Sequence, residues 1–126
     1  MVLAIDFDGT AVTHDYPRVG KDIGSSSVLE ELVQNGHQLI LWTMRSGIEL
    51  EDAVLWFAEN AIPLYGIQRN PSQDKWTKSP KCYAQIYIDD AALGCPLTFD
   101  KTLSDRPFVD WKKVREILVE SGAIKE

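Results

Sequence analysis

Two histidines and two cysteines are all that this chain of 126 residues offers to a metal bound through nitrogen or sulfur. Cys82 and Cys95 are too few and too irregularly spaced for a disulfide framework or a zinc site, and both read as reduced structural thiols. No apolar run reaches membrane-spanning length. Positive charge is also short: 13 Lys and Arg stand against 19 Asp and Glu, a formal net charge of −6. That balance argues against a nucleic acid or an anionic membrane as the main partner. The amino terminus has no basic stretch followed by an apolar one, so no targeting segment is expected and the expected compartment is the cytoplasm. Internal repeats, low-complexity tracts and interdomain linkers are missing too. A chain of this length then has room for one domain over residues 1–126, large enough for a real core.

What is present is a sequence of short apolar runs separated by helical patterns. Val2 to Ile5, Gln38 to Trp42, Leu64 to Ile67 and Gln85 to Ile88 are bounded by turn residues, as strands buried in a mostly parallel sheet would be, and Leu97 to Phe99 offers a fifth. Ser27 with Glu30, and Ser46 with Glu49, fit the capping box that starts a helix. The first helix is expected to end at Asn35-Gly36. Leu50, Val54, Phe57 and Ala61 then recur at helical spacing as a core stripe, and Trp111, Val114, Ile117 and Leu118 repeat the pattern in a last helix between Asp110 and Ser121-Gly122. Strand and helix in alternation predict an α/β domain with right-handed crossovers and a three-layer α/β/α sandwich. Ala11 to Ser26 and Gln68 to Pro80 fit no element and read as functional loops.

In a parallel sheet, ligands gather at the carboxyl ends of the strands. The first strand ends in Asp6-Phe7-Asp8, the second in Thr43-Met44-Arg45 and a later one in Asp89-Asp90, with Lys81 shortly before it. Two buried like charges repel and cost several kcal/mol each unless something neutralises them. Alternation puts Asp6 and Asp8 on one side, and Gly9 lets the backbone turn close to a ligand. This oxygen-rich set without histidine suits a hard cation such as Mg²⁺.

D-F-D-G-T after an apolar strand resembles the first motif of the haloacid dehalogenase-like (HAD) superfamily. Leu41-Trp42-Thr43 looks like its second motif, Lys81 stands where the third supplies a lysine, and Ile88-Asp89-Asp90 is similar to the acidic fourth. The resemblance spans at least residues 2 to 90 and implies a HAD-like fold with a Rossmann-like sheet. By it, Asp6 is the nucleophile that forms an aspartyl-phosphate, and Asp8 the acid that protonates the leaving oxygen and then the base that activates water. Mg²⁺ is held by the Asp6 carboxylate, the Asp8 carbonyl and a carboxylate of the fourth motif, with Asp90 preferred as direct ligand over Asp89. Thr43 binds phosphoryl oxygens, and Lys81 neutralises charge on phosphate and nucleophile. Lys75 and Lys78 compete with Lys81 for that role.

HAD enzymes commonly select substrates through a cap, and neither interval that could carry one is long enough here. The resemblance is therefore to a small capless member, a Mg²⁺-dependent phosphatase for a small phosphomonoester such as a sugar phosphate. A binding or regulatory module with the same fold and little turnover is the alternative. Specificity is expected from Ala11 to Ser26, from Gln68 to Lys81, or from a neighbouring subunit if the protein is a homo-oligomer. Arg69, Lys75 and Lys78, with Arg18, Lys21 and Trp76, are the candidates for contacting an anionic substrate. Arg45 divides evenly between binding a substrate anion and pairing with Glu49, Glu51 and Asp52. His14 and His37 read as surface or turn residues, although His14 lies in the loop after the first motif and could face the site.

Overall fold

Val2–Ile5 forms the central strand β1, because its apolar residues can be buried on both faces only inside a sheet. The structure, a computed structural model describing residues 1–126, continues with α1 (Ser25–Gln34), β2 (Gln38–Leu41), α2 (Gly47–Glu59), β3 (Gly66–Ile67), a 3₁₀ turn at Gln73–Lys75, β4 (Ile86–Ile88), β5 (Leu97–Thr98), β6 (Phe108–Val109) and α3 (Trp111–Glu120). Four strands form a parallel sheet in the order β3-β2-β1-β4, with Leu3 opposite both Leu39 and Ile86. The fold is α/β. The Leu97 run is a strand, but it pairs antiparallel with β6 in a separate hairpin and does not extend the sheet. No helix is long and apolar enough to cross a membrane.

Handedness decides which face each connection covers. The crossovers β1-α1-β2 and β2-α2-β3 run the same way along the sheet, so α1 and α2 lie on one face; the return from β3 across to β4 must run along the other. Leu3, Ile5, Leu39 and Leu41 accordingly share one core with Leu29 and Leu32 of α1, Trp56 and Phe57 of α2, and Trp111 and Leu118 of α3. Ala4 and Ile40 point the opposite way and pack with Cys82, Trp42 and Tyr65. The expected second helical layer is therefore replaced by the segment between β3 and β4, which carries only the 3₁₀ turn. That stretch has no helical periodicity in its apolar residues. It covers the sheet instead with polar ties: the buried Gln73 donates to the Ser79 and Lys81 carbonyls and accepts from the Tyr83 amide.

Several helix details differ from expectation for local reasons. α1 begins two residues before Ser27, because Asp22 Oδ1 accepts from the amides of Gly24 and Ser25 and ends the loop there. Ser46 is the residue before α2, but its side chain makes no capping bond. The buried face of α2 is Ala53, Trp56 and Phe57, rotated from the expected stripe, with Leu50 and Val54 at its margin. Asp110 caps α3 by accepting from the Lys113 amide, as expected, and α1 ends at Asn35. His37 pins the C-terminal segment by bonding the Ala123 carbonyl. Cys82 and Cys95 are free thiols whose burial raises their pKa, which disfavours the reactive thiolate.

Candidate active site

Phe7 orients the site. Its fully buried ring packs among Trp56 and Phe57, with centroids 5.8 and 6.2 Å away, on the face that carries the helices. Burying such a ring contributes roughly 2 kcal/mol or more. The aspartates on either side are thereby turned the other way, onto the carboxyl end of the sheet. From there they diverge.

Asp6 faces β4, where one carboxylate oxygen each from Asp6, Asp89 and Asp90 lie within 4.8 Å of one another. This crevice lies at the carboxyl ends of neighbouring parallel strands, the end of an open α/β sheet that is offered to ligands. Thr10 holds the group together: its hydroxyl donates to Asp6 at 2.7 Å, lies 3.3 Å from Asp90 Oδ1, and accepts from the Asp90 amide at 3.0 Å. His14 Nε2 stands 3.0 Å from the other Asp90 oxygen. Asp89 accepts from the Ala91 amide through one oxygen, which leaves the second without a protein donor. Burial pushes the Asp6 carboxyl up to about 8; the Thr10 hydroxyl opposes the rise, and Asp89 and Asp90 add to it. An oxygen-only set of this charge fits a hard divalent cation, with Asp6, Asp89 and Asp90 as its ligands.

Gly9 makes the arrangement sterically feasible. Its φ is +78°, and a Cβ there would overlap both the His14 ring and the Asp90 carboxylate. The C-terminal region then braces this turn from outside: Val109 donates its amide to the Gly9 carbonyl at 3.0 Å, and the Trp111 indole donates to the Thr10 carbonyl at 2.6 Å.

Asp8 faces the loop after β2 and meets Arg45. The Arg45 side chain is 1% exposed and grips Asp8 with two bonds, Nε to Oδ2 at 2.9 Å and Nη2 to Oδ1 at 2.8 Å. Its remaining N–H groups donate to the carbonyls of Pro17, Arg18 and Glu49, and the guanidinium lies against the Phe7 and Tyr16 rings. All five donors are used. The Asp8 carboxylate raises the Arg45 pKa further, so the cation is permanent. Arg45 thus neither faces a substrate anion nor pairs with the acidic side chains of α2. It ties the turn after β1, the loop around Pro17 and the start of α2 into one unit.

Thr43 lies at the end of β2, where its hydroxyl accepts from the Arg45 amide at 3.2 Å. Gln68 fixes this loop: its side chain accepts from the Thr43 amide at 2.8 Å and donates to the Thr43 and Arg45 carbonyls. Gln68 itself sits at φ +62°, a left-handed conformation uncommon for its residue type. Neither Gln68 nor Thr10 was singled out by sequence reasoning; Thr10 could have been, as the hydroxyl directly following the aspartate pair.

The lysine expected at the site makes no ion pair with its carboxylates. No lysine in the chain lies within 4.0 Å of a carboxylate, since every ion pair uses an arginine or His14. Lys81 instead holds its ammonium 5.5 Å from the centre of the Tyr87 ring. Arg69 pairs with Asp74 on the surface, and Lys75 and Lys78 are exposed in the segment covering the second face. Trp76 packs edge-on against Tyr83, anchoring that segment.

No family model and no curated protein matches this chain. Among solved structures it is similar to a conserved protein of Bacteroides thetaiotaomicron, with 32% sequence identity, a TM-score of 0.78, and coverage of 96% of this chain and 91% of that one. Identity at that level over nearly the full length of both chains places them together: the chain belongs to the same family as this conserved bacterial protein.

Proposed function

We infer that the chain is a capless HAD-type phosphohydrolase that cleaves a small phosphomonoester through an aspartyl-phosphate on Asp6. One observation carries this reading: Asp6, Asp89 and Asp90 converge at the carboxyl ends of β1 and β4, with Asp8 two residues from Asp6. Of the four motifs that resemble the superfamily, the first and the fourth thus meet at one point. In the first half-reaction an Asp6 oxygen attacks phosphorus, and the P–O bond to the leaving group breaks with its electron pair. A bound Mg²⁺, held by Asp6, Asp89 and Asp90, would neutralise the clustered charge and favour ionised Asp6. Thr10 and His14 keep Asp90 oriented, and in this reading Thr43 and the uncapped start of α2 receive the phosphoryl oxygens. In the second half-reaction Asp8 accepts a proton from the water that attacks the aspartyl-phosphate, its carboxylate held in place for that step by Arg45.

The same pairing favours a second reading. A leaving alkoxide needs a proton, and Asp8 can deliver one only once Arg45 releases it; no lysine approaches the carboxylates either. Both facts fit a module that binds a phosphorylated ligand with little turnover. The deciding experiment is hydrolysis of p-nitrophenyl phosphate, whose leaving group needs no proton, with Mg²⁺ and with EDTA. Magnesium-dependent turnover that vanishes in Asp6→Asn supports the phosphohydrolase. Absence of turnover in the wild-type protein removes that reading.

A further inference from the structure

A groove of about 530 Å³ runs between the loop after β1 and the loop joining β5 to β6, beside the acidic cluster. That volume suits a small molecule. One wall is Thr13 to Lys21, held to itself by the Thr13 amide on the Lys21 carbonyl and the Lys21 amide on the Thr13 hydroxyl, and from within by Arg45 on the Pro17 and Arg18 carbonyls. The other wall is Lys101 to Arg106, at the tip of a hairpin whose β6 is bonded to Gly9. Both walls are thus anchored to the backbone that positions Asp6. His14 lines the groove and also contacts Asp90, so groove and cluster meet at its ring.

The chemistry of the lining is selective. Val19 and Leu103 are its apolar residues, so an apolar or aromatic group finds little surface to be buried against. Lys21, Lys101 and Arg106 face it without ion-pair partners in a protein of net charge −6. Of the two acids along it, Asp15 is already engaged by Arg18, which leaves Asp105 alone against three cations.

We propose that this groove seats the leaving group of the substrate, and that this group is small, polar and carries a second anion recognised by Lys21, Lys101 and Arg106. The proposal rests on the phosphohydrolase reading and deepens it by naming the substrate class: a phosphomonoester bearing a further carboxylate or phosphate. It also divides specificity between Lys21, within a segment to which the sequence assigned it, and the β5–β6 loop, which lies outside those segments.

The test compares matched esters in the presence of Mg²⁺. 3-Phosphoglycerate against glycerol 1-phosphate isolates a carboxylate, and fructose 1,6-bisphosphate against fructose 1-phosphate isolates a phosphate. Wild-type protein is expected to prefer the anionic member of at least one pair, and Lys101→Ala/Arg106→Ala to lower that kcat/KM ratio by about tenfold or more, the scale of one charge-assisted hydrogen bond. Turnover without such a preference, or with a preference that the double variant keeps, overturns the proposal while leaving the phosphohydrolase intact. If none of these esters is turned over, p-nitrophenyl phosphate still decides the phosphohydrolase reading, and the groove is tested by titrating 3-phosphoglycerate into ¹⁵N-labelled protein. Shifts at Lys21 and Lys101 to Arg106 that the double variant loses then keep the groove as an anion site; no shifts there overturn it.

Discussion

The carboxyl end of β1 has two sides, and the protein treats a negative charge differently on each. Toward β2, Asp8 is met by a buried arginine whose five donors are all used, so its charge is cancelled within the fold. Toward β4, Asp6 is met by Asp89 and Asp90, and no lysine or arginine reaches any of them. The first side is self-sufficient. The second is left without a compensating cation of its own: burial first, and the two like charges with it, push the Asp6 carboxyl up to about 8. Two aspartates separated by one residue are thus assigned different work by their surroundings.

The largest expected effect comes from removing the charge on the second side. Asp6→Asn is predicted to lower magnesium-dependent hydrolysis of p-nitrophenyl phosphate by at least about 10³-fold, the scale seen when a covalent nucleophile is lost. Its circular dichroism spectrum should match that of the wild type. Retained activity in the purified variant would rule out an aspartyl-phosphate on Asp6.

The first side breaks in a different manner. Arg45→Met leaves Asp8 uncompensated and the Pro17 and Arg18 carbonyls without their donor, and is predicted to destabilise the fold by about 3–5 kcal/mol in urea denaturation. Arg45→Met with Asp8→Leu removes both charges and should recover part of that loss. If the double variant is no more stable than the single one, the ion pair is not what makes Arg45 costly to replace, and the carbonyl contacts carry the effect.

Acidity provides a subtler contrast. In the unfolded chain Asp6 should ionise near about 4, whereas in the metal-free fold it keeps its proton up to about 8. Between those values the folded state binds more protons than the unfolded one, so raising the pH through this window lowers stability, by at most about 1.4 kcal/mol per unit. In EDTA, thermal melts should therefore show wild-type stability falling from pH 5 to pH 8 more steeply than that of Asp6→Asn. Mg²⁺ in 100-fold excess over its Kd should restore about 2.7 kcal/mol at the upper end. Parallel curves for the two proteins in EDTA would mean that Asp6 titrates normally.

How far the sequence revealed these two sides follows from what kind of signal each leaves. The strands β1, β2 and β4, the Asp110 cap and the acidic groups at strand ends were legible because they depend on local runs and on where a parallel sheet presents its ligands. The layer over the second face was not. Crossover handedness requires something to pass there, but only packing decides that Gln73 and its carbonyl partners, and no helix, do the covering. Arg45 was misjudged because sequence proximity points to Glu49 and Asp52, while its partner lies 37 residues away across the sheet. His14 was legible as a loop residue that could face the site, but not its partner, for the contact with Asp90 spans 76 residues and depends on the missing side chain of Gly9. The groove beside it pairs two loops that no spacing rule connects.

The smallest effect is expected where the sequence pointed to a large one. The resemblance gives Lys81 the task of neutralising the nucleophile, which would make it the internal cation that the Asp6 side lacks. Its ammonium stands over the Tyr87 ring, and the Lys81 carbonyl is held by Gln73, so the backbone that carries it belongs to the layer on the second face. From a solvated position beyond ion-pair reach, a single charge acts on the carboxylates through screened attraction alone. Lys81→Ala should then change kcat/KM for p-nitrophenyl phosphate by less than about fivefold, the scale of an exposed ion pair. It should also leave the midpoint of the Mg²⁺-dependent rise in melting temperature where it is. A loss on the scale predicted for Asp6→Asn, with the fold intact, would mean that Lys81 swings onto the phosphate during turnover. The two sides of β1 would then each have an arm of their own.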